Sequence, residues 1–212
     1  MTPSNDRENT RQLFKAYAAK SRREVSGCYD SWAEDYETHM KNVGYLHPAM
    51  VAALLTRHVP AGTGPILDAG AGTGIMAEIL VALGYPEVVG FDGSKRMLEA
   101  AAGKNAYAEL RHMYLGAALD YPDGRFAAVV SAGVFTQGHA PLSGLAELVR
   151  VTRAGGHIVF SAGRAYLGGP LQKKREELEG KGSWRFVEAS ERYNSTPLEE
   201  ALPAQVFVFA VT

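Results

Sequence analysis

The fold is decided by the sequence ILDAGAGTG, which runs from Ile66 to Gly74. It begins in a short apolar run at 65–69 and opens a segment, 74–83, whose apolar residues recur at helical spacing. Glycine at alternate positions lets the backbone turn tightly and approach a ligand, and the helix that follows presents free N–H groups there. This stretch therefore predicts a strand, a glycine-rich binding turn and a helix.

Short apolar runs alternate with helical segments after this turn. The strand candidates are 65–69, 87–91, 110–115, 127–134 and 157–162, and the helices between them are 74–83, 94–103 and 141–153. Such alternation predicts βαβ units and a parallel sheet that is covered on both faces. A solvated helix at 170–179 and two further strands, 184–189 and 206–211, come last, and we expect these two strands to pair antiparallel at the sheet edge.

The residues before the turn are expected to be helical. The predicted helices are 8–20, 22–43 and 47–58, and the middle one carries Tyr29, Trp32, Tyr36 and Met40 near one face. We expect residues 1–60 to form a lid or cap over a binding domain at 61–212, the two together making one structural domain.

Composition limits the classes of function. The formal net charge is −1 and the sequence pI is about 6.6, which argues against a nucleic-acid partner. The single cysteine, Cys28, can form neither an internal disulfide nor a cysteine-based metal site. No apolar run approaches the roughly 18 residues that a membrane span needs. We therefore expect a cytoplasmic protein, monomeric or homodimeric, with no metal and no membrane partner.

An acidic residue at the end of the second strand candidate narrows the ligand. Asp92 lies 20 residues after Gly72, where a carboxylate can hold both hydroxyls of a ribose. The spacing Gly-x-Gly-x-Gly differs from that of nicotinamide folds, and no Gly-Lys-Ser/Thr follows for a nucleotide triphosphate. Asp92 could instead cap the next helix, although Ser94 suits that role well. A nucleoside site without a pyrophosphate requirement fits best.

These segments resemble class I S-adenosylmethionine-dependent methyltransferases. The resemblance is carried by DAGAGTG at 68–74, VVGFDGSKRMLEAA at 88–101, YPDGRFAAVVSAGVF at 121–135 and RVTRAGGHIVFS at 150–161. More narrowly, YDSWAEDYE at 29–37, FDGSKRML at 91–98 and GVFTQGHAP at 133–141 resemble the methyltransferase-like family of the Williams–Beuren chromosomal region and its bacterial relatives. The resemblance implies an α/β fold: a three-layer, doubly wound Rossmann-like sheet of seven strands, mostly parallel with an antiparallel last strand.

The resemblance also implies a cofactor, S-adenosylmethionine, with S-adenosylhomocysteine as its product, and the residues that bind it. The turn that begins at Asp68 would face the methionine moiety and ribose, Asp92 the ribose hydroxyls, and two further residues the adenine. The turn residues are Asp68, Gly70, Ala71 and Gly72, and the adenine neighbours are Gly93 and Met97.

Two segments depart from the family's pattern. Where relatives often carry Gly-Asp-Ala after the third strand, this chain has Gly116-Ala117-Ala118. The adenine amino group would then meet the backbone of Ala118 and Leu119, or Asp120. The end of the fourth strand also lacks the Asn-Pro-Pro-Tyr type of motif, which counts against DNA bases and glutamine as acceptors.

Methyl transfer needs proximity and excluded water more than acid–base groups. His139 is the candidate general base, although it could instead cap the helix at 141–153 or hydrogen-bond a loop. Tyr36 could contact the methionine end of the cofactor, and Tyr29 and Trp32 could bind beside it, although these aromatic residues could equally be a packing face. We predict methyl transfer to a small-molecule acceptor. A catalytically inactive cofactor-binding partner protein and a protein methyltransferase are the alternatives, and the glycine spacing disfavours a nicotinamide-dependent oxidoreductase.

Overall fold

The computed structural model describes residues 12, 14–19, 21–136, 138–199 and 202–212. The helices before the first strand are α1 (Arg22–Trp32), α2 (Tyr36–Val43) and α3 (His47–His58). The core of the fold then alternates through β1 (Ile66–Ala69), α4 (Ile75–Ala82), β2 (Val88–Asp92), α5 (Lys95–Gly103), β3 (Glu109–His112), β4 (Phe126–Phe135), α6 (Gly144–Val151) and β5 (Thr152–Gly163). The last elements are α7 (Gly169–Gly180), β6 (Trp184–Ala189), β7 (Tyr193–Asn194) and β8 (Pro203–Val211).

The strands form one sheet in the order β3-β2-β1-β4-β5-β8-β6, with the short β7 pairing beside β8. The pairs among β1 to β5 are parallel, whereas β8 runs antiparallel to both β5 and β6. The mostly parallel sheet with a reversed last strand is confirmed. The two-residue β7 is an eighth strand that the sequence did not predict, because two residues are too few to show an alternating pattern.

Helices cover both faces of the sheet, which gives three layers. On one face the cluster of buried residues includes Leu145 and Leu148 of α6 and Leu171 of α7. On the other it includes Leu55 of α3 and Leu80 of α4. Although α3 belongs to the segment expected to form a cap, it lies in the helical layer that packs against this face of the sheet. The described part of the chain contains no helix long and apolar enough to cross a membrane.

The helix expected over 22–43 is interrupted. A turn at 33–35 separates α1 from α2, and Asp35 begins the second helix as its N-cap. The break leaves the aromatic face intact, since Trp32 and Met40 are buried together and Tyr29 and Tyr36 pack against them. We call α1 and α2 the cover, because side chains from both helices line the cleft described below.

Candidate active site

A cleft lies at the carboxyl ends of the parallel strands, where ligands bind in open α/β sheets. Its empty space, part of which is open to solvent, is about 810 Å³. We call it the main cleft. Its walls come from the glycine turn, the end of β2, the segment after β3, the end of β4 and the cover.

The glycine turn is shaped for close approach on one side and open space on the other. Gly70 has a φ of +87°, and a Cβ there would lie 2.3 Å from Cγ2 of Val134. Gly72 has a φ of +53°, but a Cβ there would meet no protein atom within 4 Å. Because both glycines line the main cleft, Gly70 is required by packing, whereas Gly72 leaves room for a ligand.

Asp92 ties the glycine turn to the start of α5. Its carboxylate accepts a hydrogen bond from the Gly72 N–H at 2.9 Å and another from the Ser94 N–H at 2.8 Å. Burial raises the pKa of Asp92, and the backbone donors act against that rise. Ser94 itself caps α5, since its hydroxyl accepts from the Met97 N–H at 3.1 Å. Each carboxylate oxygen keeps a further lone pair for a ligand hydroxyl.

Asp68 lies beneath the turn with one oxygen unpaired. The Tyr107 hydroxyl donates to Oδ2 at 2.7 Å, whereas Oδ1 is buried and has no hydrogen-bond partner among the described residues, as is also true of the Thr73 hydroxyl. Burial raises the pKa of Asp68 to about 7. Both residues line a smaller space of about 320 Å³, the side cavity, together with Gly70, Ala71 and Gly72. Unpaired buried polar atoms fit a ligand with its own polar groups.

The part of the main cleft away from the glycine turn, between the start of α5 and the segment after β3, suits a flat, largely apolar ring. Gly93 and Met97 line it as expected, and Met113, Tyr114 and Leu115 complete it. A Cβ on Gly93 would lie 2.9 Å from the ring of Tyr114, so glycine is needed there.

The structure does not bring Ala118 and Leu119 to this end. Ala118 is exposed, and the Leu119 N–H donates to Oε2 of Glu147 at 2.8 Å. Asp120 is also exposed and pairs with Arg111 at 3.0 Å. The segment after Leu115 turns away at Gly116, whose φ is +91°, so Met113, Tyr114 and Leu115 line the cleft where Ala118 and Leu119 were expected.

The cover places Tyr29 and Tyr36 in the main cleft, but not Trp32. Trp32 is buried behind them, stacked on Tyr29 with ring centroids 5.9 Å apart, and its indole N–H donates to Nδ1 of His39. The cover is fastened by Asp30, whose Oδ1 accepts from the Ser94 hydroxyl at 2.6 Å and the Arg96 N–H at 3.1 Å. Sequence reasoning missed Asp30 because an aspartate in a polar helix gives no signal of its partner.

His139 lies in the wall of the main cleft beside the cover. Its Nε2 is 2.7 Å from the Tyr29 hydroxyl, and its Nδ1 is 3.0 Å from Oγ1 of Thr136. The imidazole is thus oriented by a hydroxyl on each nitrogen, as a group that holds or passes a proton requires.

A third space, of about 370 Å³, adjoins the main cleft, and we call it the tyrosine chamber. It is lined by Tyr17, Tyr29, Tyr36, Met40, Tyr45, His47, Gly133, Thr136, Ser195, Thr196 and Leu202. Gly133 has a φ of +76°, and a Cβ there would lie 2.0 Å from the Tyr45 hydroxyl. Tyr36 and Tyr45 line the main cleft, the side cavity and the chamber alike, so these two side chains border all three spaces.

The far wall of the chamber comes from the segment between β7 and β8. The Leu46 N–H donates to the Ser195 carbonyl at 3.0 Å, and the Leu198 N–H donates to the Val43 carbonyl at 3.2 Å. We call this pair of backbone bonds the seam. Sequence reasoning missed Tyr45 and Ser195, because the wall is assembled from segments far apart in the chain.

The strand order with its reversed last strand, the glycine turn and the acid that ends β2 define a class I Rossmann-like methyltransferase. The chain belongs to this methyltransferase family: residues 67–160 match the methyltransferase domain. It is 33% identical over 171 residues to human methyltransferase-like protein 27, across 76% of this chain and 68% of the relative. It is therefore an S-adenosylmethionine-dependent methyltransferase, as the sequence predicts.

Two further proteins are similar along most of their length. Phosphatidylethanolamine N-methyltransferase of Cereibacter sphaeroides is 30% identical over 203 residues, across 87% of this chain and 95% of that protein. The solved structure of Burkholderia thailandensis 1,6-didemethyltoxoflavin-N1-methyltransferase, with its substrate and S-adenosylhomocysteine bound, has a TM-score of 0.66 at 17% identity and covers 92% of each chain. At that identity the second likeness concerns the fold.

Proposed function

We propose that this methyltransferase moves a methyl group from S-adenosylmethionine to a small-molecule acceptor by direct in-line displacement. The observation that carries the proposal is the tyrosine chamber, a space partly open to solvent that shares Tyr36 and Tyr45 with the main cleft and the side cavity. A space bordered by these aromatic side chains suits a small molecule better than a segment of a macromolecule. The didemethyltoxoflavin enzyme, which is named for a small acceptor, supports the same interpretation, and the Cereibacter enzyme is named for a lipid acceptor rather than a macromolecule.

The residues present fit the cofactor along its length. Asp92 would accept from the ribose hydroxyls, and Gly93 and Met97 would flank the adenine. The glycine turn, with Ala71, would carry the methionine end, where the unpaired oxygen of Asp68 suits a cationic group. When bound, S-adenosylmethionine supplies an electrophilic methyl group on a positively charged sulfur.

The chain's own contribution to the reaction is enclosure and orientation. Tyr36 and Tyr45 border both the main cleft and the chamber, so their rings bound the space in which donor and acceptor come together and exclude water from it. His139, held between Tyr29 and Thr136, can take up a proton that the acceptor loses. Trp32 supports the two cover tyrosines from behind and acts as a positioning residue.

Fractionating a cell extract tests the proposal. The small-molecule fraction and the protein fraction are each incubated with enzyme and S-adenosylmethionine, and release of S-adenosylhomocysteine is measured. We expect release with the small-molecule fraction and none with Gly72→Val, whose new side chain fills the ligand side of the turn. Release with the protein fraction alone would identify a protein methyltransferase. Binding of S-adenosylhomocysteine without turnover in either fraction would identify a binding protein.

Two expectations from the sequence are proposed with this function. Composition and the single Cys28 favour the cytoplasm, and a cleft built from one chain allows a monomer or a homodimer to be active.

A further inference from the structure

The tyrosine chamber is walled by aromatic rings. Tyr17, Tyr29, Tyr36 and Tyr45 all line it. The rings of Tyr29 and Tyr36 meet edge to face at a centroid distance of 6.1 Å. On the described part of its surface, no Asp, Glu, Lys or Arg lines the chamber. Its electrostatic character is therefore set by ring faces and hydroxyls.

Ring faces carry negative potential, which attracts cations within about 6 Å and repels anions. The rings are neutral, because burial raises the pKa of Tyr17, Tyr29, Tyr36 and Tyr45 above the ordinary value of a phenol. His47 is neutral too, since burial lowers its pKa to about 4. Several neutral aromatic walls with no carboxylate among the described lining residues suit a bulky, weakly hydrated ammonium group.

We infer that the chamber takes a small amine, which attacks in its neutral form, and that the surrounding tyrosine rings stabilise the substituted ammonium produced. This inference rests on the proposed function and names its acceptor class. The nitrogen lone pair forms the N–CH₃ bond, the S–CH₃ bond breaks, and its electron pair stays on sulfur, which becomes a neutral thioether. The positive charge thus passes from the sulfur to the nitrogen inside the chamber.

Primary and secondary amines then have a proton to lose, and the structure provides a path for it. Tyr29 lines both the chamber and the main cleft, and its hydroxyl lies 2.7 Å from Nε2 of His139, whose Nδ1 lies 3.0 Å from Oγ1 of Thr136. The phenol oxygen of Tyr29 can accept the ammonium proton as its own proton passes to Nε2. A tertiary amine has no such proton after transfer, so its product stays cationic and is held by the rings alone.

An isosteric pair of probes tests this inference without requiring turnover. Choline and 3,3-dimethyl-1-butanol have the same shape, but only choline carries a charge. With the protein saturated by S-adenosylhomocysteine, we expect choline to bind at least tenfold more tightly, because several ring faces contribute. Equal affinity for the two probes, or tighter binding of the alcohol, would overturn the inference.

Tyr17 offers a matched pair of variants, since it lines the chamber but neither the main cleft nor the side cavity. Tyr17→Phe keeps the ring and should keep the preference for choline. Tyr17→Leu removes the ring and should reduce the preference about threefold to tenfold, with the affinity for S-adenosylhomocysteine unchanged. A preference that is unaltered in Tyr17→Leu would show that the ring faces do not cause it.

Turnover experiments distinguish failure of the amine inference from failure of the proposed function on which it rests. If the small-molecule fraction supports release of S-adenosylhomocysteine but the methylated product carries its new group on oxygen or sulfur, the amine is wrong and the proposed function stands. If no small molecule is methylated, the proposed function itself fails. We expect an N-methylated product in mass spectrometry of the reaction mixture.

Discussion

Replacing Asp92 with alanine tests the nucleoside site most directly. The carboxylate accepts from the Gly72 and Ser94 N–H groups and is predicted to accept from both ribose hydroxyls. Hydrogen bonds to a charged group contribute about 1.5–3 kcal/mol each. Loss of both ribose contacts should therefore weaken cofactor binding by about two orders of magnitude or more, since about 1.4 kcal/mol is tenfold.

The same substitution also removes the acceptor for two backbone donors. A buried donor left unsatisfied costs about 1–3 kcal/mol, so we expect a lower thermal unfolding midpoint as well. The two effects are separated by a cofactor analogue that lacks the ribose hydroxyls. The analogue should bind weakly to the wild type, and its affinity for Asp92→Ala should be almost the same. The contact that the variant loses is one that the analogue never makes.

Calorimetry with S-adenosylhomocysteine measures both affinities, with thermal unfolding as the control for folding. Asp92→Asn keeps one acceptor but turns an amide N–H toward a backbone N–H, so its affinity should lie between the wild type and Asp92→Ala. If Asp92→Ala folds normally and binds S-adenosylmethionine as the wild type does, Asp92 does not hold the ribose and the nucleoside site is misplaced.

Three further predictions concern the turn and the cover. Gly72→Val should abolish cofactor binding, whereas Gly182→Val, at a φ of +64° and also with no atom within 4 Å of its Cβ, should bear a similar backbone strain and bind normally; equal affinities in calorimetry would contradict this. Burial raises the pKa of Asp68 to about 7 in the folded, cofactor-free protein, against about 3.9 in an unfolded chain. The folded protein therefore binds this proton more tightly than the unfolded chain does, and its stability should fall as the pH rises from about 4 to 7. A cationic cofactor favours the ionised form, so affinity should rise through pH 7 with proton release, and calorimetry in two buffers should show no release in Asp68→Asn. Amide exchange over residues 22–43 should slow on adding S-adenosylhomocysteine if the cover closes over the ligand. Unchanged exchange, with binding verified, would show that the cover does not act as a lid.

Much of the sheet could be predicted because its signals are local. The predicted bounds of the strand at 184–189 and of the helix at 47–58 match the structure. The glycine turn and Asp92 lie where the sequence places them because each follows a buried parallel strand, and neighbouring parallel strands end at the same edge.

The parts that could not be predicted depend on contacts between distant segments. The turn at 33–35 lies between Trp32 and Tyr36, whose rings pack against each other across it, and periodicity alone does not predict such a contact. Tyr114 lines the main cleft and Ala118 does not, because the chain turns at Gly116, and glycine by itself does not show which way a segment turns. The role of a loop residue such as Ser195 is visible only once the seam is formed.

The seam consists of backbone hydrogen bonds alone, and this affects how such an enzyme can diverge. Because the Leu46–Ser195 and Leu198–Val43 bonds do not depend on side-chain identity, mutations in the far wall can change the acceptor while the scaffold stays intact. Tyr36 and Tyr45 have no such freedom, since each lines the main cleft as well as the chamber. Selection for a new substrate would therefore act first on positions such as Tyr17 and Thr196, and libraries for engineering should be built there.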